Sequence, residues 1–262
     1  MKTSEMGGSS AHGVLTGKKA LVTGGSRGIG RAISLALGAA GADVVVNYRR
    51  DAEAAQAVVD QLAAMGRSAH RLQADVSVPQ EARRVVAEAA TQLGGLDIVV
   101  CNAGILQRQP VLEIEPADWD RILDTNLGGV FWTAQAAGRY MAAHGGGAII
   151  NMSSGGALAP TRNLCHYCVA KAGVSMITKS LALELAPYKV RVNEMNPGLI
   201  ETDLNRADIA RPEFLDARMS RIPLGLVGTP EDVAGAVVFL ASPAARLITG
   251  HGIVIDGGAR IS

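Results

Sequence analysis

The sequence predicts an α/β fold: a single-domain, doubly wound parallel sheet of about seven strands with helices on both faces. Three observations predict it. Short apolar runs alternate with helix-period segments along the whole chain. The strand candidates are almost continuously apolar, as strands buried on both faces must be. The 262 residues are 48% hydrophobic but only 3% aromatic, so Val, Ile, Leu and Ala have to fill the core. Right-handed crossovers then put every strand's carboxyl end on one edge of the sheet.

Residues 1–13 (MKTSEMGGSSAHG) read as a flexible polar leader without the apolar stretch of a signal peptide. One domain is expected over 14–262. Its first strand, 18–23 (KKALVT), runs into the glycine-rich turn Thr23-Gly24-Gly25-Ser26-Arg27-Gly28-Ile29-Gly30, which opens a helix near 28–40. Glycines at 24, 28 and 30 allow a tight turn and a close backbone approach, and the helix N-terminus offers unpaired N–H groups to a pyrophosphate.

The second strand, 43–47 (DVVVN), leads into Tyr48-Arg49-Arg50 and a helix near 51–65. Folds that bind NAD usually carry an acid at this point for the ribose hydroxyls. Here tyrosine stands near that position with two arginines behind it, and Arg27 can converge on the same spot. Guanidinium groups suit a 2′-phosphate, so NADP(H) is favoured, with NAD(H) possible. The plain alternative is an ordinary solvated pair of arginines.

The third strand, 69–74, ends at Asp75 and Val76, placed to meet an adenine amine and an adenine face. Asp75 reads equally as a turn residue ahead of Ser77, which with Gln80 forms a capping-box pattern for a helix near 78–93. The fourth strand, 97–101 (DIVVC), runs into Asn102-Ala103-Gly104, where glycine lets backbone come close to a cofactor. Pro116 opens a long helical region, 116–144, that contains Asn126, a residue able to bend the helix and hold a water.

The fifth strand, 147–152 (GAIINM), precedes Ser154, and a helix over 167–186 carries Tyr167 and Lys171. Positions i and i+4 share a helix face, so phenol and ammonium project together. A phenol is a poor acid–base group at neutral pH, and an adjacent ammonium lowers its pKa toward the working range. Ser154 can hydrogen-bond a substrate carbonyl. Each also has a bland reading: a packed tyrosine, a snorkelling lysine, a turn-capping serine and a helix irregularity.

The sixth strand, 190–195 (VRVNEM), leads to Asn196-Pro197-Gly198. The charged segment 203–222 interrupts the alternation and reads as a small helical insertion over the active edge, either a substrate lid or a surface excursion. Thr229-Pro230 supplies a cap for a helix over 230–241, and the seventh strand is 252–256 (GIVID).

A formal net charge of +1 offers nothing to nucleic acid or an anionic membrane. No apolar run reaches membrane-spanning length. Three cysteines (Cys101, Cys165, Cys168) make no disulfide framework and suggest a reducing, cytoplasmic compartment. No zinc set is supported, and no metal is expected. Cys165 is a candidate for the substrate pocket, although inert packing is the plainer expectation for both cysteines near Tyr167.

Together, Thr23-Gly24-x-x-x-Gly28-x-Gly30, Cys101-Asn102-Ala103-Gly104, Asn126, Ser154, Tyr167-x-x-x-Lys171 and Asn196-Pro197-Gly198 resemble the short-chain dehydrogenase/reductase family, a Rossmann-type fold, over roughly residues 15–262. The resemblance implies Tyr167 as proton donor or acceptor, Ser154 as carbonyl orienter and Asn126 as support for a proton relay. It implies that Lys171 contacts the nicotinamide ribose, and that Pro197, Gly198, Ile200 and Thr202 line the nicotinamide and pyrophosphate. The family often has asparagine where Cys101 stands; a small buried residue there leaves catalysis intact.

The expected activity is ketone–alcohol interconversion on a small-molecule substrate, most like the 3-oxoacyl-thioester reductases, in a homo-oligomer (tetramer or dimer). Glucose- and polyol-type dehydrogenases are the alternative, because Val-Asn-Tyr-Arg at the second strand also resembles that branch. A non-catalytic cofactor-sensing regulator is a remote third reading, disfavoured by the intact acid–base pair.

Overall fold

A computed structural model describes residues 13–262, so the leader, apart from Gly13, lies outside the described residues. The apolar runs form β1 (Lys19–Val22), β2 (Asp43–Tyr48), β3 (Ala69–Gln73), β4 (Ile98–Cys101), β5 (Gly147–Met152), β6 (Val190–Pro197) and β7 (Gly252–Ile255). Between them lie α1 (Gly28–Ala39), α2 (Ala52–Ala64), α3 (Pro79–Leu93), α4 (Pro116–Leu123), α5 (Gly129–Ala143), α6 (Cys165–Leu185), α7 (Arg206–Ile209), α8 (Pro212–Met219) and α9 (Pro230–Ala241).

The Val and Ile runs of β2 and β4 leave no polar face and are buried nearly throughout, whereas β3 (AHRLQ), at the sheet edge, is only partly covered. The strands pair in parallel throughout, in the order β3-β2-β1-β4-β5-β6-β7. Alternate residues point to opposite faces. Val22, Val44, Val46 and Val100 pack with Ile33, Leu37, Leu62, Val237 and Leu240 of α1, α2 and α9 in one core. Leu21, Val45, Val99 and Ile149 pack with Val85, Val86, Met141 and Val174 of α3, α5 and α6 in the other. Each such side chain contributes roughly 1.5–3 kcal/mol by leaving water.

Helix starts follow local chemistry. Asp51 accepts the Ala54 N–H at 2.9 Å to start α2. At α9, Asp232 reaches back to the Thr229 N–H at 2.7 Å, with Pro230 in the first helical position. Pro116 opens α4 as expected. The Ser77–Gln80 capping box does not form. Ser77 donates instead to the nearer Asp75 carboxylate (2.6 Å), and Pro79 fixes the start of α3 with Val78 as its cap. The region 116–144 is not one helix either. Residues Asp124–Gly128 widen into a π-turn between α4 and α5, because the Asn126 side chain bonds outside the helix.

Segment 203–222 folds into the two short helices α7 and α8, tied to the loop after β4 by an Arg108–Asp208 ion pair of 2.5 Å. Among the described residues no helix is long and apolar enough to cross a membrane. The strand order reverses between β1 and β4. The loops at their carboxyl ends part there, which is where doubly wound sheets form a ligand crevice.

Candidate active site

At that reversal the ends of β1 and β4 are laced together. Thr23 Oγ1 accepts the N–H groups of Asn102 (2.9 Å) and Ala103 (3.1 Å), while Asn102 Nδ2 donates to the carbonyls of Thr23 (3.0 Å) and Gly24 (3.2 Å). Asn47 Oδ1 accepts the Gly24 N–H at 3.2 Å. The loop so held needs glycine. Gly24 has φ +60°, and a Cβ at Gly30 would lie 2.1 Å from the Gly24 carbonyl oxygen and 2.5 Å from Asn102 Nδ2. The first turn of α1 carries no acidic residue, and its cap, Arg27, supplies no side-chain acceptor. Free N–H groups facing a glycine-walled hollow fit a pyrophosphate.

The neighbouring ground after β2 is more crowded with charge than its sequence suggests. Arg49 Nε pairs with Asp75 Oδ2 at 2.8 Å, and Arg27 approaches Asp51 at 3.9 Å. Asp75 Oδ1 accepts both the N–H and the hydroxyl of Ser77. Arg49 is therefore not a free cation: β3 lies beside β2, so the acid just after β3 reaches the arginine across the strand gap. Tyr48 is buried, and its hydroxyl accepts a bond from Arg71 at 3.0 Å. Arg50 is exposed.

Ser154 follows β5, and its Oγ accepts the Gly156 N–H at 3.0 Å, which leaves its own proton free to donate. Tyr167 lies on the first turns of α6 and borders the same cleft as Ser154. Burial pushes the phenol up from its ordinary value of 10.0; the Ser154 hydroxyl opposes this and Cys168 adds to it. The lowering of that pKa by Lys171, expected from their spacing, is not what the structure shows. Lys171 Nζ is 5.8 Å from the phenol ring centre and donates to the Met152 carbonyl at 2.7 Å. Lys171 itself is 3% exposed, and burial lowers its ammonium to about 8, against the opposing pull of Glu194.

Asn126 is fully buried; its Oδ1 accepts the Ile105 N–H at 2.8 Å and its Nδ2 donates to the Ile105 carbonyl at 2.9 Å. This double bond to one residue holds Gly104 close. A Cβ there would lie 2.9 Å from Asn126 Oδ1 and 3.8 Å from Lys171 Nζ. Asn126, Gly104 and Lys171 therefore meet at one point.

The glycine loop and the candidate catalytic groups border one cleft of about 760 Å³. It is walled by Gly24, Ser26, Arg27, Gly28, Ile29 and Gly30, by Tyr48, Arg49, Arg50, Asp75 and Val76, and by Asn102, Ala103 and Gly104. Asn126, Ser154, Tyr167, Lys171, Pro197, Gly198, Ile200 and Thr202 complete that wall. Cys165 is the exception among the residues considered for the pocket. It is exposed and does not border the cleft, because two helical residues turn it about 200° away from Tyr167. Cys101 is buried at the end of β4, with its thiol pushed well above its ordinary range by burial.

Sequence reasoning missed the braces. Thr23 and Asn47 stand inside quoted motifs, but the spacing does not show that their side chains hold the glycine loop. Glu194 is buried behind Lys171, where its Oε1 accepts from Ser175 (2.8 Å) and Asn196 (3.0 Å). Ser153, in reach of Ser175 at 3.4 Å, donates to the Lys171 carbonyl at 3.0 Å. A carboxylate inside a strand buried along almost its whole length was the available signal.

A family model described as enoyl-(acyl carrier protein) reductase matches residues 24–260. An L-rhamnose 1-dehydrogenase (NAD(P)(+)) of Sphingomonas sp. (strain SKA58) is 39% identical over 250 residues, covering 95% of this chain and 98% of that protein. A 3-oxoacyl-[acyl-carrier-protein] reductase of Staphylococcus aureus (strain Mu50) is 41% identical over 241 residues, covering 92% and 97%. The crystal structure of a short-chain type dehydrogenase/reductase from Mycobacterium marinum superposes with a TM-score of 0.90 at 42% identity, covering 95% of this chain and 97% of that one. With the seven-stranded parallel sheet and a glycine-walled cleft at its reversal, the chain belongs to the short-chain dehydrogenase/reductase family.

Proposed function

We propose that this NAD(P)-dependent oxidoreductase of CH–OH and C=O groups is an NADP(H)-favouring carbonyl reductase, most like the 3-oxoacyl-thioester reductases. The observation that carries this reading is the meeting of Ser154, Tyr167, Lys171 and Asn126 on one cleft with the glycine loop. A nicotinamide dinucleotide bound along the cleft supplies the hydride to a carbonyl carbon, or receives it from an alcohol.

The chain's residues do the rest. Ser154 donates its free proton to the carbonyl oxygen and orients it. Tyr167 gives its phenolic proton to that oxygen as negative charge develops, and takes it back in oxidation. Lys171, charged below about pH 8, steadies the phenolate that remains. Asn126 fixes the Ile105 backbone, and with it the wall beside Lys171, and the π-turn around it supports the relay that returns a proton to Tyr167. Gly24, Ser26, Arg27, Gly28, Ile29 and Gly30 hold the pyrophosphate. Tyr48, Arg49 and Arg50 flank the adenosine ribose, and Asp75 and Val76 flank the adenine. Asn102, Ala103, Gly104, Pro197, Gly198, Ile200 and Thr202 enclose the nicotinamide half. NADP(H) preference rests on Arg49 and Arg27, which a 2′-phosphate would draw from their carboxylate partners.

The similarity to an L-rhamnose 1-dehydrogenase favours a second reading, oxidation of a sugar. Turnover of acetoacetyl-CoA with NADPH against that of L-rhamnose with NADP+ separates the two. Tyr167→Phe tests the shared chemistry: it should lower turnover by about 10²–10⁴-fold while leaving NADPH affinity near wild type. A mutant with normal rates refutes the assigned acid.

The surface of α5 and α6 supports assembly with further copies of the chain, as a tetramer or a dimer. Met176 (62%) and Leu183 (79%) are exposed on α6, beside a groove lined by Leu127, Phe131 and Ile177. Light scattering on the purified protein decides the number of subunits. Three unbonded thiols support a cytoplasmic location.

A further inference from the structure

The end of the cleft away from the glycine loop carries a charge pattern that ketone reduction alone does not require. Three separate segments bring guanidinium groups to it: Arg108 from the loop after β4, Arg218 and Arg221 from α8 and the turn beyond it, and Arg260 from the C-terminal tail. Asp208 is already shared by Arg108 and Arg211. Asp203, on the same wall, is paired with Arg206 at 2.8 Å, and Asp256 accepts the Gly258 N–H at 2.9 Å through Oδ1 while its Oδ2 has no hydrogen-bond partner. No carboxylate of the described residues pairs with Arg218, Arg221 or Arg260.

Arg218 is the informative member. It is half-buried, and its guanidinium lies 5.5 Å from the Phe214 ring centre, on a ring also approached by Arg108 (5.2 Å) and Arg211 (5.6 Å). An aromatic face can hold guanidinium groups in place without neutralising them. Burial, then the like charges of Arg108 and Arg221, disfavour the Arg218 cation, and only Asp208 opposes them. A partly desolvated guanidinium with no ion-pair partner is costly, and an arriving anion would remove that cost at Arg218, with the exposed Arg221 and Arg260 beside it. The planar fork of arginine matches the paired oxygens of a carboxylate or a phosphate.

We propose that the outer end of the cleft is an anion subsite: the substrate carries a carboxylate or phosphate, held by Arg218 with Arg221 and Arg260, beside its reacting ketone or alcohol. This rests on the carbonyl-reductase reading and names the substrate's second group. Arg108, anchored by Asp208, acts as the wall against which Phe214 and Arg218 are set.

Two matched pairs of ketones test it with NADPH at low ionic strength. Acetoacetate against methyl acetoacetate probes a carboxylate. Acetoacetyl-CoA against the acetoacetyl thioester of N-acetylcysteamine probes a phosphate. The charged member of at least one pair should be favoured in kcat/KM by about tenfold or more, the size of one charge-assisted hydrogen bond. Which pair responds identifies the anion. Arg218→Gln should erase most of that preference, and Arg218→Lys should retain part of it, each variant being checked for a wild-type melting temperature. The measured quantity is the charged-to-neutral ratio, which a general loss of activity or fold does not move. Equal handling of both members by the wild type, or an unchanged ratio in both variants, overturns the subsite while leaving ketone reduction standing. Failure to turn over any of the four ketones refutes the carbonyl-reductase reading, and the subsite falls with it.

Discussion

Replacing Lys171 by Met should change how stability depends on pH, by an amount the structure sets. The lysine is 3% exposed, and burial lowers its ammonium from 10.5 to about 8. In the unfolded chain it keeps its proton up to 10.5, whereas in the fold it releases it near 8. Between those values the unfolded state binds more protons, so stability rises with pH across the window. Below pH 8 the fold carries the cost of a buried charge, roughly 3 kcal/mol from the size of the drop, and that cost fades as the group deprotonates. Methionine has similar reach and no charge. Urea unfolding of wild type and Lys171→Met at pH 7 and pH 10 reads out this group, since the titrations of residues that do not touch Lys171 are common to both proteins. The wild type should gain about 2.5 kcal/mol on the mutant over that interval, from integrating the two titrations. The bond from Nζ to the Met152 carbonyl offsets the comparison at both ends but contributes little to its slope. A wild-type-minus-mutant difference that stays flat from pH 7 to pH 10 would refute the buried ammonium.

Other outcomes follow from the same geometry. Reduction at saturating NADPH should fall about tenfold per pH unit above the Lys171 titration near 8, and in Lys171→Arg that limb should vanish from whatever activity survives. Gly30→Ala forces a Cβ to 2.1 Å from the Gly24 carbonyl, so it should cost roughly 1–3 kcal/mol of stability in denaturant titrations and weaken NADPH binding; neutrality on both counts rejects the tight loop. Arg49→Ala should weaken NADPH far more than NADH in fluorescence titrations, and equal losses reject its role at a 2′-phosphate. Asn126→Ala leaves the N–H and the carbonyl of Ile105 without partners, so turnover and melting temperature should fall together; a change in neither removes Asn126 from the site.

What the sequence made legible depended on how local the cause was. The strands at 43–48 and 98–101 are set by unbroken Val and Ile runs, and they appear within a residue or two of their expected bounds. Thr229-Pro230 worked because a cap and its proline act within one turn. Ser77-x-x-Gln80 failed because the pattern cannot record that Asp75, two residues earlier, offers a charged acceptor at shorter reach. The region 116–144 was read as continuous because each half is helical by composition. What breaks it is Asn126 bonding Ile105, 21 positions away in the chain. Long-range partners carry no periodicity.

The same limit explains the two places where charge was misread. Tyr167 and Lys171 are four residues apart, so a shared helix face followed from geometry alone. Which atom the ammonium would address did not, because the Met152 carbonyl reaches it from the end of β5. After β2, Arg49 reads as an available cation until β3 pairs beside it and Asp75 arrives at 2.8 Å. Both cases have one physical form: a charge that looks free along the chain is held by a neighbour from another element of the fold. A ligand anion at either site therefore enters by exchange, displacing an internal acceptor from a cation already in position. Arg218 has no such internal partner. Of the cations on the cleft wall it is the half-buried one without a counter-charge, so the strongest demand for an anion falls on the substrate end of the cleft.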